Sequence, residues 1–91
     1  MKDNLADWRK EIDIIDDQII SLLAQRINII EKIGKYKVKN HIPPLDQKRW
    51  RTLLQSLLRK GESHDLPQSL IKNIYTTIHK HSLSAQEQLK K

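Results

Sequence analysis

The chain has 91 residues, 37% of them hydrophobic, with two Trp, two Tyr and no Phe; that is one domain with a modest core, which pairing with a second copy would enlarge. It contains no cysteine and no run of 18 apolar residues, and Lys2, Asp3, Asp7, Arg9 and Lys10 charge its start. The lack of cysteine excludes disulfides, thiol catalysis and cysteine-ligated metal, and with no membrane-span or signal-peptide pattern the expectation is a soluble, cytoplasmic protein with no membrane partner. A formal net charge of +6 and a pI near 9.7 favour an anionic partner: nucleic acid, an acidic protein or a small polyanionic metabolite.

Leu5, Trp8, Ile12, Ile15, Ile19, Leu22, Arg26, Ile29, Ile33 and Tyr36 follow one another at alternating spacings of three and four. This is the stripe of a helix from about Asp3 to Lys39 that lies along another helix. Asp3 or Asn4 suits the N-cap, and Asp7 complements the helix dipole. At about 1.5 Å per residue the helix runs for roughly 55 Å, too long for a compact domain of this size to cover alone. Gly34 interrupts good helix formers, either to admit a close neighbour or as a tolerated glycine.

Pro43 and Pro44 make Asn40 to Leu45 the first connection. Asp46 is then a good N-cap for a short second helix from Gln47 to Lys60, marked by Trp50, Leu53, Leu54, Leu57 and Leu58 and stopped by Gly61. After a polar link from Glu62 to Leu66, Pro67 suits the first turn of a third helix, capped by Asp65 or a neighbour. Leu70, Ile71, Ile74, Ile78, Ala85 and Leu89 mark one face of that helix, and Leu89 to Lys91 is expected to fray. The expected fold is all-α, with one long, one short and one medium helix in a single domain over residues 1–91.

Several polar residues occupy apolar positions. Arg26 sits in the long stripe, where a guanidinium must pair, reach solvent or receive an anion. Lys37 lies about three turns further along the same face, roughly 16 Å away, so the two can converge on one anionic ligand. The alternative pairs Arg26 with an acidic neighbour at a helix crossing and leaves Lys37 solvated. Ser82 and Gln86, one turn apart on the third helix, either offer hydrogen bonds to a ligand or mark the wet end of the bundle. Arg9 is on the order of 25 Å from Arg26 and turned to another side, so it shares a ligand with Arg26 only across two copies of the chain. Otherwise it pairs at the surface with Asp13 or another nearby carboxylate.

Other chemistries find little support. Basic residues are scattered among acidic ones with no stacking platform, which disfavours nucleic acid. His79 and His81 point to different sides of one helix, and His41 and His64 lie in presumed loops, so metal-ligand spacing is missing. Neither a phosphate-binding glycine loop nor a nucleophile elbow occurs, and no carboxylate pair suits acid–base work.

Arg9, Glu11-Ile12-Asp13, Ile15-Asp16, Leu22-Leu23, Arg26, Gly34, Lys37, Asp46, Arg49, Ser82 and Gln86 form an ordered series. From Leu5 to Gln88 the chain closely resembles the all-α chorismate mutase family. The resemblance implies an intertwined homodimer with two active sites, the long first helices pairing across it. It also implies rearrangement of chorismate to prephenate with no cofactor, metal, nucleophile or general acid. By the same resemblance, Arg26 and Arg9 of the partner subunit bind the substrate carboxylates, and Lys37 and Gln86 act at the ether oxygen. Asp46, Arg49 and Ser82 complete the pocket.

One position departs from the family. A glutamate that contacts the ring hydroxyl of chorismate commonly follows the equivalent of Arg49, whereas this chain has Trp50. An indole offers only an N–H donor, and Trp50 also fits the apolar series of its helix. Trp50 is therefore a candidate specificity residue, and isochorismate pyruvate lyase or amino-chorismate mutase activity, both known on this fold, stand as alternatives. A non-catalytic basic dimer that binds an acidic partner is the alternative of another class; its interaction would be sensitive to salt and indifferent to loss of Arg26.

Overall fold

From Leu5 to Lys39 no proline interrupts the chain, and a single helix, α1, occupies that whole stretch. The computed structural model describes residues 4–89 and adds α2 (Gln47–Ser63) and α3 (Gln68–Leu89), with no strand among the described residues. Asn4 stands at the N-cap of α1 but makes no side-chain cap bond; Asp3, the other expected cap, lies outside the described residues. Among the described residues no helix is long and apolar enough to cross a membrane.

Both connections begin with the same device. At the end of α1, His41 adopts φ 57, its N–H reaches the Val38 carbonyl, and the Ile42 N–H bonds the Lys37 carbonyl at 2.8 Å. At the end of α2, Asp65 adopts φ 59, its N–H bonds the Glu62 carbonyl, and the Leu66 N–H bonds the Gly61 carbonyl at 2.9 Å. These are Schellman closures, in which one left-handed residue returns the last carbonyls to the chain. They correct two expectations. The second helix does not stop at Gly61 but continues to Ser63, because Asp65 supplies the left-handed residue and leaves Gly61 inside the helix. Asp65 therefore belongs to this turn rather than to the cap of α3. Pro67 lies just before that helix, and its carbonyl accepts from the Leu70 and Ile71 N–H groups.

Helix α3 packs against both α1 and α2, while the α1 and α2 backbones stay more than 8 Å apart. At the two glycines of the chain α3 comes close. A Cβ on Gly34 would lie 2.6 Å from Leu89 Cδ1 and 3.2 Å from Gln86 Cγ, and a Cβ on Gly61 would lie 2.6 Å from Ile71 Cγ1. Gly34 thus admits a close neighbour, and Gly61 does the same for Ile71. Leu89, expected to fray, is helical and half-buried; Lys90 and Lys91 lie outside the described residues.

The helices form a single layer. The chain measures 63 × 24 × 14 Å, and its thinnest dimension is little more than the roughly 10–12 Å diameter of one helix. Its radius of gyration is 17.1 Å, against about 12 Å for a compact domain of this length. Ile71 is the one buried hydrophobic side chain among the described residues. On α1 the side facing α3 runs through Leu23, Arg26, Ile30, Gly34 and Lys37, all half-buried or buried. The expected stripe lies beside it and stays exposed from Leu5 to Leu22, with Trp8 at 57% and Leu22 at 62% of full exposure. From Trp8 to Leu22 no other helix of the described chain buries it.

Candidate active site

Each helix contributes a different chemistry to one cleft. Helix α1 brings Arg26 and Lys37, whose separation of about three turns places them on one face. The start of α2 brings Asp46, Arg49 and Trp50, and α3 brings His79, Ser82 and Gln86. These side chains share a cleft of about 260 Å³ closed at its apolar edges by Ile30, Ile33, Pro44, Leu53 and Leu83. That is below the range of about 300–1,000 Å³ usual for drug-sized ligands, so a small, compact molecule suits it. Larger clefts of about 710 and 390 Å³ run between α1 and α3. Their linings, such as Leu23, Ile74 and Ile78, are mostly apolar, and Arg26 is the one cation that both share.

Arg26 and Lys37 are each held by an uncharged acceptor. Arg26 Nη1 donates to Ser82 Oγ at 3.0 Å, and that hydroxyl donates its own proton to the Ile78 carbonyl at 2.9 Å. Arg26 therefore finds a hydroxyl where an acidic partner was the alternative, and its positive charge remains available. Lys37 Nζ donates to the Pro44 carbonyl at 2.7 Å, so it is tethered and half-buried rather than solvated. Asp46 is extended at φ −121, ψ 94, and its Oδ1 accepts from the Arg49 N–H at 2.9 Å. It caps α2 and lines the cleft at once.

Gln86 is 5% exposed, and its Oε1 is buried with no hydrogen-bond partner. An unpaired buried polar group costs about 1–3 kcal/mol, which a ligand can recover. Gln86 and the half-buried Ser82 are thus part of the cleft, not the wet end of a bundle. Trp50 stacks on His79 with ring centroids 4.0 Å apart and planes 6° apart. Burial of the imidazole, followed by the nearby Arg26 charge, lowers the His79 pKa below its ordinary 6.5, so the ring is neutral at neutral pH.

Seven of the eight residues singled out in the sequence meet here: Arg26, Lys37, Asp46, Arg49, Trp50, Ser82 and Gln86. Arg9 does not. It is exposed near the far end of α1, roughly 25 Å from Arg26 along the axis. His79 is the cleft residue that sequence reasoning misses by weighing it only against His81 as a metal pair. Its spacing of three and seven residues to Ser82 and Gln86 is the signal that places it on their face. Among the described residues no cluster of three His, Asp or Glu side chains could hold a metal ion.

Three cations lining one small cleft suit a small ligand with more than one negative charge. Comparison with known proteins agrees with that chemistry. Residues 8–87 match the family described as Chorismate mutase type II. The chain is 33% identical over 88 residues to a bifunctional chorismate mutase/prephenate dehydratase of Buchnera aphidicola subsp. Schizaphis graminum, covering 97% of this chain and 23% of that protein. To the bifunctional chorismate mutase/prephenate dehydratase of Escherichia coli K12 it is 32% identical over 81 residues, 89% of this chain and 21% of the relative. An Aquifex aeolicus protein of the same description is 32% identical over 91 residues, covering 97% and 25%. The chain thus spans about a quarter or less of the length of these relatives. With the match extending over all three helices and every residue of the cleft, the chain belongs to the chorismate mutase type II family.

Proposed function

We propose that the cleft converts chorismate to prephenate, and that the working form is a cytoplasmic homodimer without a nucleic-acid partner. The observation that carries this reading is the convergence of Arg26, Lys37 and the buried Gln86 amide, whose oxygen has no partner, in one small cleft. In the rearrangement the ether C–O bond breaks as a new C–C bond forms within the same molecule, and negative charge grows on the ether oxygen. A site for it must hold the two carboxylates in a compact conformer and aim donors at that oxygen. Arg26, oriented by Ser82, takes one carboxylate. Lys37 reaches the ether oxygen and a carboxylate, and Gln86 presents its NH₂ to the ether oxygen by rotating its terminal amide, a broad and nearly two-fold torsion. Asp46 and Arg49 complete the wall.

The remaining carboxylate calls for Arg9 of the partner subunit. Antiparallel α1 helices that set Arg9 opposite Arg26 are related by a two-fold axis near Asp17 and Gln18, midway between them, which places Trp8 against Ile27 and Ile12 against Leu23. That pairing covers the exposed stripe. At roughly 1 kcal/mol for each half-exposed large side chain, burying Leu5, Trp8, Ile12, Ile15, Ile19 and Leu22 in both copies gives on the order of 10 kcal/mol. This is comparable with the roughly 4–15 kcal/mol lost on association.

The presence of Trp50 in the cleft favours one second reading, a lyase that releases pyruvate from isochorismate. Assays of the purified protein with chorismate and isochorismate, with chromatographic identification of products, separate the two. Efficient formation of prephenate is expected; pyruvate and salicylate from isochorismate with little prephenate would replace the proposal by the lyase.

A further inference from the structure

The cleft is rich in donors and poor in acceptors. Arg26, Lys37 and Arg49 have protons to give and no lone pair to offer. The Ser82 hydroxyl already accepts from Arg26 and donates to Ile78. One oxygen of Asp46 is engaged as the α2 cap, and the unpaired Gln86 Oε1 turns away once that amide presents its NH₂ to the ether oxygen. A ligand hydroxyl that donates its proton therefore has few places to direct it. His79 is one of them, because a neutral imidazole carries one lone-pair nitrogen, and no hydrogen bond to its ring nitrogens occurs among the described residues.

The stacking partner limits where that lone pair can point. With the imidazole 4.0 Å from the indole and within 6° of parallel, its in-plane nitrogens lie along the Trp50 face and cannot turn through it. Trp50 and His79 thereby form a flat, uncharged wall in a cleft whose other polar groups are largely cationic. Resting on the reading of the cleft as a chorismate site, the geometry points to His79, held flat by Trp50, as a specificity-determining residue that accepts a hydrogen bond from the ring hydroxyl of the substrate. Trp50 is then a positioning residue that acts through His79. Burial and Arg26 keep the imidazole neutral, so the acceptor is present at neutral pH. The ring hydroxyl takes no part in bond making or breaking, so the contact acts on ground state and transition state alike and appears in KM rather than kcat.

The test uses the full chain, wild type and the His79→Leu and His79→Gln variants, with chorismate and with its analogue that carries hydrogen in place of the ring hydroxyl. Reactivity differences between the substrates cancel when their kcat/KM ratio is compared between proteins. The wild type should prefer the hydroxylated substrate by about tenfold more than His79→Leu does, the size expected for one buried hydrogen bond. His79→Leu should raise KM for chorismate by about five- to tenfold with kcat within about twofold. His79→Gln, which keeps an acceptor, should recover most of the preference. Circular dichroism and chromatographic elution identify any variant that fails to fold, and the Gln variant then decides: loss of preference in folded His79→Gln counts against the assignment. Wild-type preference in His79→Leu overturns the inference alone and leaves Asp46 or Gln86 as the acceptor. Wild-type protein inactive on chorismate overturns the proposed function and this inference with it.

Discussion

Replacing Gly34 with alanine sets two effects of one methyl group against each other. In the interior of α1, alanine is favoured over glycine by about 1 kcal/mol. The new Cβ would meet Leu89 Cδ1 at 2.6 Å and Gln86 Cγ at 3.2 Å. The first contact is the tip of a flexible side chain, which can move away for about 1 kcal/mol or less. Stability should therefore change little, with the melting temperature within about 5 °C of wild type. The second contact touches the side chain that ends in the unpaired amide, and Gln86 must yield by a few tenths of an ångström. If a misplacement of about 1 Å costs on the order of 100-fold, a shift of this size should lower kcat by about 4- to 10-fold with KM within twofold. Thermal melts and steady-state kinetics on chorismate test both halves. A melting temperature more than about 10 °C lower would show that α3 cannot accommodate the methyl group. Unchanged kcat in an equally stable variant would show that the glycine contact does not position Gln86.

Gly61→Ala should behave differently, because its Cβ would meet Ile71 Cγ1 at 2.6 Å and Cδ1 at 3.2 Å, atoms close to a stiff β-branched centre. A net loss of about 1 kcal/mol, read as a melting temperature lower by about 4–8 °C, is expected. Arg26→Ala should reduce kcat/KM by on the order of 100- to 1,000-fold while helix content is retained; activity within a few-fold of wild type would refute the anion-binding role. Arg9→Ala and Arg26→Ala subunits, each inactive alone, should regain about one intact site per mixed dimer, and no recovery in a verified heterodimer would remove Arg9 from the site. Because the folded His79 pKa lies below its ordinary value, the unfolded chain binds more protons as pH falls through about 6.5, and stability is lost in that window. Urea midpoints at pH 7.5 and 5.5 should fall further for wild type than for His79→Gln; equal falls would show that His79 does not contribute.

Much of this arrangement is written in local patterns. The three-four spacing from Leu5 to Tyr36, the Pro43-Pro44 break and the Asp46 cap each act through neighbouring residues, and all three lead to the observed elements. Gly61 shows where local reasoning fails. A glycine near a helix end suits the left-handed cap, but Asp65 tolerates that conformation too, and only the approach of Ile71 reveals why glycine stands inside the helix. His79 was hidden for a related reason: its partner, Trp50, is distant in sequence, and stacking between helices has no periodic signature. The cleft residues on α1 and α3 were legible because one helical face fixes their neighbours. The role proposed for Arg9 is not fixed in this way, since it depends on a second chain whose placement no spacing within this one specifies.

The contacts at Gly34 and Gly61 make α3 behave as a beam clamped near its two ends. Ile71 bears on one glycine and Gln86 on the other, about 22 Å apart along the axis, and the cleft side chains of α3 hang from the span between. If Ile71 acts as the fulcrum, a displacement at Gln86 carries Ser82 through roughly three-quarters of that distance and His79 through roughly half. A bulkier group at position 34 would therefore tilt the whole row by graded amounts, moving the amide most, the hydroxyl that orients Arg26 less, and the imidazole least. The alignment of three chemically different side chains is governed by the thickness of a single residue on the opposing helix.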